Sequence, residues 1–363
     1  MTSRLRVFVV GTRAQLIKVA PVIRACEQLE LGCTLLMTGQ HRDTMSDLVA
    51  EFGIKSPQIF ARQAAERSTV KSLLSWLPGA YWGVSAKLRK MADAGNSLDV
   101  LVHGDTLSTL IGAAAARRCG ARVVHLESGL TSGKLFDPFP EELCRRLVFR
   151  LTDVAMCPNS RAAEHMRRMH GAIVVETAGN TILDALALTG ALTRKTETAA
   201  APYLVVSLHR FQNIYNSARL RHLAALIEAL ANRFHVHFVL HPATQGRLEK
   251  KGLLEKLSSA PNVRLSPRMG YRDFLLLAAG AACVLTDGGS NQEELAALGV
   301  PTIVMRKRTE RPDGLNANAI MESNLLQGVE EFVMSGRYEA LRRAPITTGG
   351  ESPSLRIARY LQT

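Results

Sequence analysis

The segment Leu98-Asp99-Val100-Leu101-Val102-His103-Gly104-Asp105-Thr106, with the alanine-rich Leu107–Arg118 and then Arg122-Val123-Val124-His125-Leu126-Glu127, reads as strand, helix and strand. Leu98–Val102 and Arg122–Leu126 are short apolar runs, and a helix between two such runs is the unit of a parallel sheet covered on both faces. Acids follow where the runs stop: Asp105 after the first and Glu127 after the second. Glu141 follows in Asp137-Pro138-Phe139-Pro140-Glu141-Glu142. A buried strand that ends in an unpaired carboxylate is costly, so at least one of the three is expected to face a cleft.

The same alternation extends in both directions. Upstream, Arg6–Val10 reads as a strand, and a helix from about Ala14 to Leu29 carries its apolar face at Leu16, Ala20, Ile23 and Cys26. Pro21 lies inside that run, so a kink or a restart is expected there. Cys33–Met37 is the next strand, and a helix follows through Met45 to Phe52. Downstream, Glu141–Leu151 is a helix. The second half repeats the order through Tyr203–Leu208, Leu220–Arg233, His237–Leu240, Phe274–Ala279, Val284–Thr286, Gln292–Leu298 and Thr302–Met305. At 363 residues the chain exceeds the usual limit for one core, about 250–300 residues. The expected architecture is therefore α/β, with two Rossmann-like doubly wound domains facing a central cleft. We place the domains at 1–178 and 179–348, with a C-terminal helix in 349–363 and the linker near Glu176 to Thr198.

Composition narrows the function. Hydrophobic residues make up 47% of the chain and mean hydropathy is +0.03, as in globular rather than membrane-spanning proteins. The run Val7–Val10 is far shorter than a signal peptide's apolar core, so a soluble, cytoplasmic protein is expected. The net charge of +13 is spread evenly over both halves, and no basic patch is interleaved with aromatics. That distribution favours an anionic small substrate over nucleic acid. Six cysteines lie in or beside apolar segments without any C-x-x-C pair, which reads as buried, inert thiols. Both tryptophans, Trp76 and Trp82, fall in Arg67–Lys90 on either side of Pro78-Gly79. That segment reads as a helix pair packed on the first domain, or as a surface loop in peripheral contact with a membrane or an apolar acceptor.

Leu285-Thr286-Asp287-Gly288-Gly289-Ser290-Asn291-Gln292-Glu293-Glu294 turns from a strand through two glycines and a serine into a helix. Free amides at the helix start, with the Ser290 hydroxyl, suit a diphosphate. Glu294 would accept from ribose hydroxyls or complement the helix dipole. Arg13 follows the first strand at Gly11-Thr12, with Lys18 about one turn beyond; both would face phosphates or lie solvated on the helix. His209-Arg210 and His241 occupy equivalent strand ends in the second half.

Taken together, these segments resemble the UDP-N-acetylglucosamine 2-epimerase family. The motifs that carry the resemblance occur in order: Gly11-Thr12-Arg13 with Lys18, Thr38-Gly39-Gln40-His41-Arg42, Val102-His103-Gly104-Asp105-Thr106, His125-Leu126-Glu127-Ser128-Gly129-Leu130, Pro140-Glu141-Glu142 with Arg145, Gly179-Asn180-Thr181 with Asp184, His209-Arg210, Asp287-Gly288-Gly289 with Gln292-Glu293-Glu294, and Thr309-Glu310-Arg311-Pro312. The resemblance implies a fold of the two-domain GT-B type, with the helix Ser354–Leu361 returning to the first domain. It implies inversion at carbon 2 of a UDP-linked N-acetylhexosamine by elimination and re-addition of UDP through 2-acetamidoglucal, or a hydrolysing variant that releases N-acetylmannosamine. Neither route needs a metal or a nicotinamide, and a homodimer is expected. By motif, Asp105, Glu127 and Glu141 supply acid and base functions, and His209 with Arg13 stabilises the leaving diphosphate. Lys18, Arg145, Gly289, Ser290, Glu294 and Arg311 bind the substrate, and Phe274 stands where the family stacks uracil.

Four positions depart from the family pattern. Ala14-Gln15 replaces Pro-Glu, which makes a carboxylate near the sugar neutral. Thr131 replaces an arginine beside the acids, a change expected to raise their pKa values. Gln212 replaces a glutamate, and Gly288-Gly289-Ser290 shifts the hydroxyl of Ser-Gly-Gly. Two other readings therefore stand beside the epimerase: a GT-B-type glycosyltransferase passing a sugar from a UDP donor to a lipid-linked or polysaccharide acceptor, and a silent nucleotide-sugar sensor.

Overall fold

β1 (Arg4–Val10), α1 (Arg13–Gln28), β2 (Cys33–Met37), α2 (Ser46–Glu51), β3 (Gln58–Phe60), α3 (Val70–Asp93), β4 (Ser97–His103), α4 (Leu107–Arg118), β5 (Arg122–Leu126), α5 (Glu141–Leu151), β6 (Val154–Cys157), α6 (Ser160–Met169), β7 (Ile173–Glu176) and α7 (Ile182–Thr189) follow one another in the first half. The structure is a computed structural model that describes residues 4–39, 45–61, 70–133, 140–169, 171–193, 201–309, 312–346 and 350–363. All seven strands pair in parallel, in the order β3-β2-β1-β4-β5-β6-β7. β1, β2 and β4 are buried almost throughout, as strands covered on both faces must be. The order reverses between β1 and β4, so their carboxyl ends flank the crevice where such sheets bind ligands.

The second half holds β8 (Tyr203–Ser207), α8 (Phe211–Ile214), α9 (Ser217–Ala231), β9 (His235–Leu240), α10 (Pro242–Lys250), α11 (Leu253–Ser258), β10 (Val263–Pro267), α12 (Tyr271–Ala279), β11 (Cys283–Thr286), α13 (Gly289–Leu298), β12 (Thr302–Val304), β13 (Ala319–Met321) and α14 (Gly328–Met334). Its parallel sheet runs β10-β9-β8-β11-β12-β13 and reverses between β8 and β11. Leu220, Leu223, Ala224, Ile227 and Leu230 form the buried face of α9, at helical spacing, and share one core with Leu204, Val206, Val236 and Phe238 of the sheet.

The chain divides into two compact units, Met1–Ala185 with Thr348–Thr363, and Leu186–Thr347. The last helix, α15 (Pro353–Gln362), belongs to the first unit and packs on α1. Arg6 donates to the carbonyl of Leu361, and Asp184 accepts from the amide of Ser354 at 2.8 Å.

One local expectation is narrowed and one is corrected. α1 continues through Pro21 as one helix, so of the kink or restart expected there the restart does not occur. The tryptophan segment, of which residues 67–69 lie outside the described residues, is neither a helix pair nor a loop from Val70 onward, since α3 runs through Pro78 to Asp93. Trp76, Ala80, Val84 and Leu88 recur every fourth residue and are all fully buried against Val100, Val102 and the alanines of α4. One continuous stripe on one core outweighs the single backbone bond that proline removes. Membrane contact through Trp76 is excluded by that burial. Trp82, on the opposite face, is 57% exposed, and the Arg118 guanidinium lies over its ring at 5.0 Å. No helix among the described residues is long and apolar enough to cross a membrane.

Glycine is required at two close approaches in the first unit. A Cβ on Gly11 would meet the Ser108 Oγ at 1.8 Å, and one on Gly129, whose φ is +85°, would meet the Ala162 carbonyl oxygen at 2.2 Å. The cysteines are free, and burial pushes Cys144 up to about 11 and Cys157 and Cys283 up to about 12. These three are thiols, not thiolates, at neutral pH.

Candidate active site

In the first unit the site grows from the turns after β1, β4 and β5 and the start of α5. Thr12 caps α1 in a reciprocal box with Gln15, and Thr106 caps α4 in a box with Thr109. These caps fix where each helix begins, and hence where the residues between strand and helix point. Lys18, on the buried side of α1, reaches both carboxylate oxygens of Glu127, at 3.2 and 2.9 Å. The His103 Nε2 lies 3.2 Å from Glu127 Oε2. Glu127 itself adopts a left-handed backbone, φ +58°, which turns its side chain out of the strand.

Asp105 pairs with Arg145, whose guanidinium also meets Glu142 at 2.5 Å. Glu142 is fully buried and accepts further bonds from the Thr131 hydroxyl at 2.5 Å, the Ser132 amide at 3.2 Å and Arg146 at 3.1 Å. Burial alone would raise its pKa, but these four donors outweigh it and hold the carboxyl below the ordinary glutamate range. Arg145 thus supplies a cation beside the acids where Thr131 stands in place of arginine. Glu141, at the first position of α5, has one carboxylate oxygen, Oε2, buried with no hydrogen-bond partner among the described residues. Arg13 pairs with Asp47 at 2.8 Å. That pair is partly exposed and worth roughly 0–1 kcal/mol, weak enough for an incoming anion to replace.

Sequence reasoning gave no role to three residues beneath this cluster. His103 touches Glu127, as above. His125 is fully buried, with Nε2 2.8 Å from the Gly104 carbonyl and Nδ1 3.0 Å from the Ser128 hydroxyl. A carbonyl can only accept, so Nε2 carries the hydrogen and Ser128 donates to Nδ1. Burial pulls the ring down to about 4, so it is neutral near pH 7. Gln15, read above as a lost carboxylate beside the sugar, instead points inward. It is 3% exposed, and its carboxamide joins the turn after β1 to the turn after β4. The sequence signal for His103 and His125 was their place in the two motifs, each two residues before a strand-end acid.

A pH effect on stability follows from His125. The folded ring stays neutral down to about 4, whereas in the unfolded chain it takes a proton near its ordinary 6.5. Its contribution is therefore fully present above about pH 6.5 and is lost as pH falls toward about pH 4. Thermal unfolding followed across that window should show the parent losing more Tm than His125→Gln, and parallel curves would refute the assignment.

In the second unit Asp287, fully buried after β11, organises the turn after β8. It accepts from the amides of His209 at 2.9 Å and Arg210 at 3.0 Å and from the Asn213 side chain at 2.8 Å. Its Oδ1 lies 3.3 Å from the His209 Nδ1. The His209 ring is partly open to solvent; burial of the rest holds it below the ordinary histidine range, against the pull of Asp287 and with the push of Arg210, Arg268 and Arg306. Next to it, α13 begins at Gly289 after its N-cap Gly288, which makes no side-chain cap bond among the described residues. The helix start that carries Gly289 and Ser290 therefore has the amides an anion needs. Gln292 and Glu294 are buried in this helix, and Gln292 is bonded to Thr309 at 3.1 Å and the Asp313 carbonyl at 2.8 Å. Phe274 is half-buried in α12. His241 caps α10 through Nδ1, its ring 5.6 Å from that of His209. Arg311 and Gln40-His41-Arg42 lie outside the described residues.

Comparison with known proteins agrees with the chemistry these turns offer. The sequence model of the UDP-N-acetylglucosamine 2-epimerase family matches residues 24–361. The UDP-N-acetylglucosamine 2-epimerase of Methanococcus maripaludis is 30% identical over 351 residues, which cover 91% of this chain and 92% of that protein. The crystal structure of the Methanocaldococcus jannaschii UDP-GlcNAc 2-epimerase in complex with UDP-GlcNAc and UDP superposes with a TM-score of 0.74 at 26% identity, covering 99% of each chain. A glycosyltransferase of kitacinnamycin shares the fold alone, with a TM-score of 0.60 at 15% identity. Two parallel α/β units, acids clustered at the strand ends of one and an uncapped glycine turn in the other, together with a family match over nearly the whole chain, place the protein in the UDP-N-acetylglucosamine 2-epimerase family.

Proposed function

We propose that the chain inverts carbon 2 of UDP-N-acetylglucosamine by eliminating UDP and adding it back. In the forward half, a carboxylate takes the carbon 2 proton, the carbon 1–oxygen bond breaks with its electrons passing to UDP, and a carbon 1–carbon 2 double bond forms. In the return half, UDP oxygen attacks carbon 1 and a proton is delivered to carbon 2 on the other face. The observation that carries this reading is the cluster of Asp105, Glu127 and Glu141. Two of these acids are held by cations and His103, and the third has a buried oxygen without a partner among the described residues. A buried acceptor left unpaired costs about 1–3 kcal/mol, and a substrate hydroxyl or a proton in transfer would satisfy it.

Each unit supplies one part of what the reaction needs. The first offers the acid and base groups, with Lys18, Arg145 and Arg13 as the nearby cations. The second offers His209, Gly289, Ser290 and Glu294 for the nucleotide, with Phe274 for its base. Arg311 belongs to the same proposed set. Release of the free sugar by water is the hydrolysing variant of the same elimination. A homodimer is also part of the proposal. The deciding experiment is incubation with UDP-N-acetylglucosamine in deuterated water. Deuterium at carbon 2 is the expected result, and products without it in every case would end the epimerase reading.

A further inference from the structure

We infer that Gln15 is a positioning residue that holds Asp105 and the His103–Glu127 pair in place, and that the turn of this chain is built around an uncharged amide where the family pattern has glutamate. The inference rests on the epimerase reading for its kinetic arm only. The Gln15 Oε1 accepts from the amides of Gly11 at 2.9 Å and Thr12 at 3.2 Å. Its Nε2 donates toward the His103 carbonyl at 2.8 Å, the Thr106 hydroxyl at 3.0 Å and the Thr109 hydroxyl at 2.9 Å. Two amide donors on one side and a carbonyl acceptor on the other allow only one orientation of the carboxamide.

These bonds bracket the functional turn. Between His103 and Thr106 lie only Gly104, in a left-handed conformation at φ +68°, and Asp105. Gln15 therefore grips the backbone just before Asp105 and the cap just after it. The His103 carbonyl that Gln15 holds belongs to the residue whose ring meets Glu127. Through α1 the same residue fixes the helix that delivers Lys18 to Glu127.

A glutamate at this position would satisfy the carbonyl only when protonated, because an ionised oxygen 2.8 Å from a carbonyl oxygen is repelled. The charged groups nearest this turn are each engaged elsewhere: Lys18 and His103 with Glu127, Asp105 with Arg145, and Arg13 with Asp47. The buried amide thus keeps the grip independent of pH, which a carboxyl would not.

The test compares the parent with Gln15→Glu and Gln15→Leu, measuring kcat and KM on UDP-N-acetylglucosamine from about pH 5.5 to about pH 8.5, and Tm from about pH 4 to about pH 8.5. Gln15→Glu is expected to approach parental kcat at the acid end and to fall at least about tenfold below it at the alkaline end, with KM changed much less. Gln15→Leu should lose kcat at every pH without the added ionisation. The Tm deficit of Gln15→Glu should be absent below the unfolded glutamate pKa, near 4.3. It should grow as pH rises toward the raised folded value and then level off. A Gln15→Glu kcat profile parallel to the parent's, or a loss confined to KM, would overturn the inference. So would a Tm deficit that does not change with pH. A parent without turnover would instead refute the functional reading, and the Tm arm would still decide the role of Gln15.

Discussion

Glu127→Gln is expected to lower turnover of UDP-N-acetylglucosamine by roughly 10²–10⁴-fold while UDP affinity stays within about threefold of the parent. Glutamine keeps the shape of the side chain and can still accept from Lys18, so the turn after β5 should survive. It cannot exchange a proton, and that is the property the elimination uses. The left-handed backbone at Glu127 and the two groups on its oxygens show a side chain held in one place rather than free to be replaced by a neighbour. Single-turnover assays with deuterium incorporation at carbon 2 separate the chemical step from product release. A Tm equal to the parent's shows that folding is intact. Retention of more than roughly a tenth of kcat would remove Glu127 from the acid and base set.

Glu142→Ala should destabilise the first unit by about 3 kcal/mol, because removing one member of a buried ion pair leaves its partners uncompensated. Four donors converge on this carboxylate: the Thr131 hydroxyl, the Ser132 amide and two arginines. Arg145 would keep only Asp105, so activity should fall with stability, and Glu142→Gln should recover part of both. Urea unfolding at neutral pH measures the loss. The acid limb adds a second check. The folded pKa of Glu142 is depressed, so its contribution is present above the unfolded value of about 4.3 and disappears as pH falls through the folded one. Parent and variant stabilities should therefore converge in acid. A constant gap at all pH values would mean that packing, not charge, is what the variant loses.

The long periodic elements were legible from the residues alone. β1, β4, β5, β8 and β11 stand out as apolar runs followed by glycine, acid or histidine, and these runs place the ligand-binding ends of both sheets. Two short strands were not legible. β10, Val263–Pro267, lies at an edge, is only partly buried and ends in proline, and its alternation covers only Val263 to Ser266, too short to stand out. β6, inside the sheet, is four residues long and follows α5 after only Thr152 and Asp153, and periodicity alone cannot tell so short an apolar run from a helix segment.

The site divides in the same way. Asp105 and Glu127 were visible because an acid after a buried strand is conspicuous, and Glu141 through the motif Pro140-Glu141-Glu142. Glu142, one residue further, was not, since it is charge-paired inside the fold and looks in sequence like any helix-start glutamate. Gln15 was visible only as an absence of charge. Its five contacts of 3.2 Å or less come from two segments far apart in the chain; the capping box with Thr12 is a local pattern, but nothing local encodes the bonds to His103, Thr106 and Thr109.

The return of α15 to α1 bears on the order in which the chain can fold during synthesis. The second unit is one continuous stretch and can close as soon as its last strand and helix emerge. The first unit begins earlier but lacks α15, which covers α1 through Ile357, Ala358 and Leu361, until the ribosome has passed the whole second unit. Domains generally fold as units as they emerge. The half of the protein that carries the acids is therefore started first and completed last, with part of α1 exposed to chaperones in the interval.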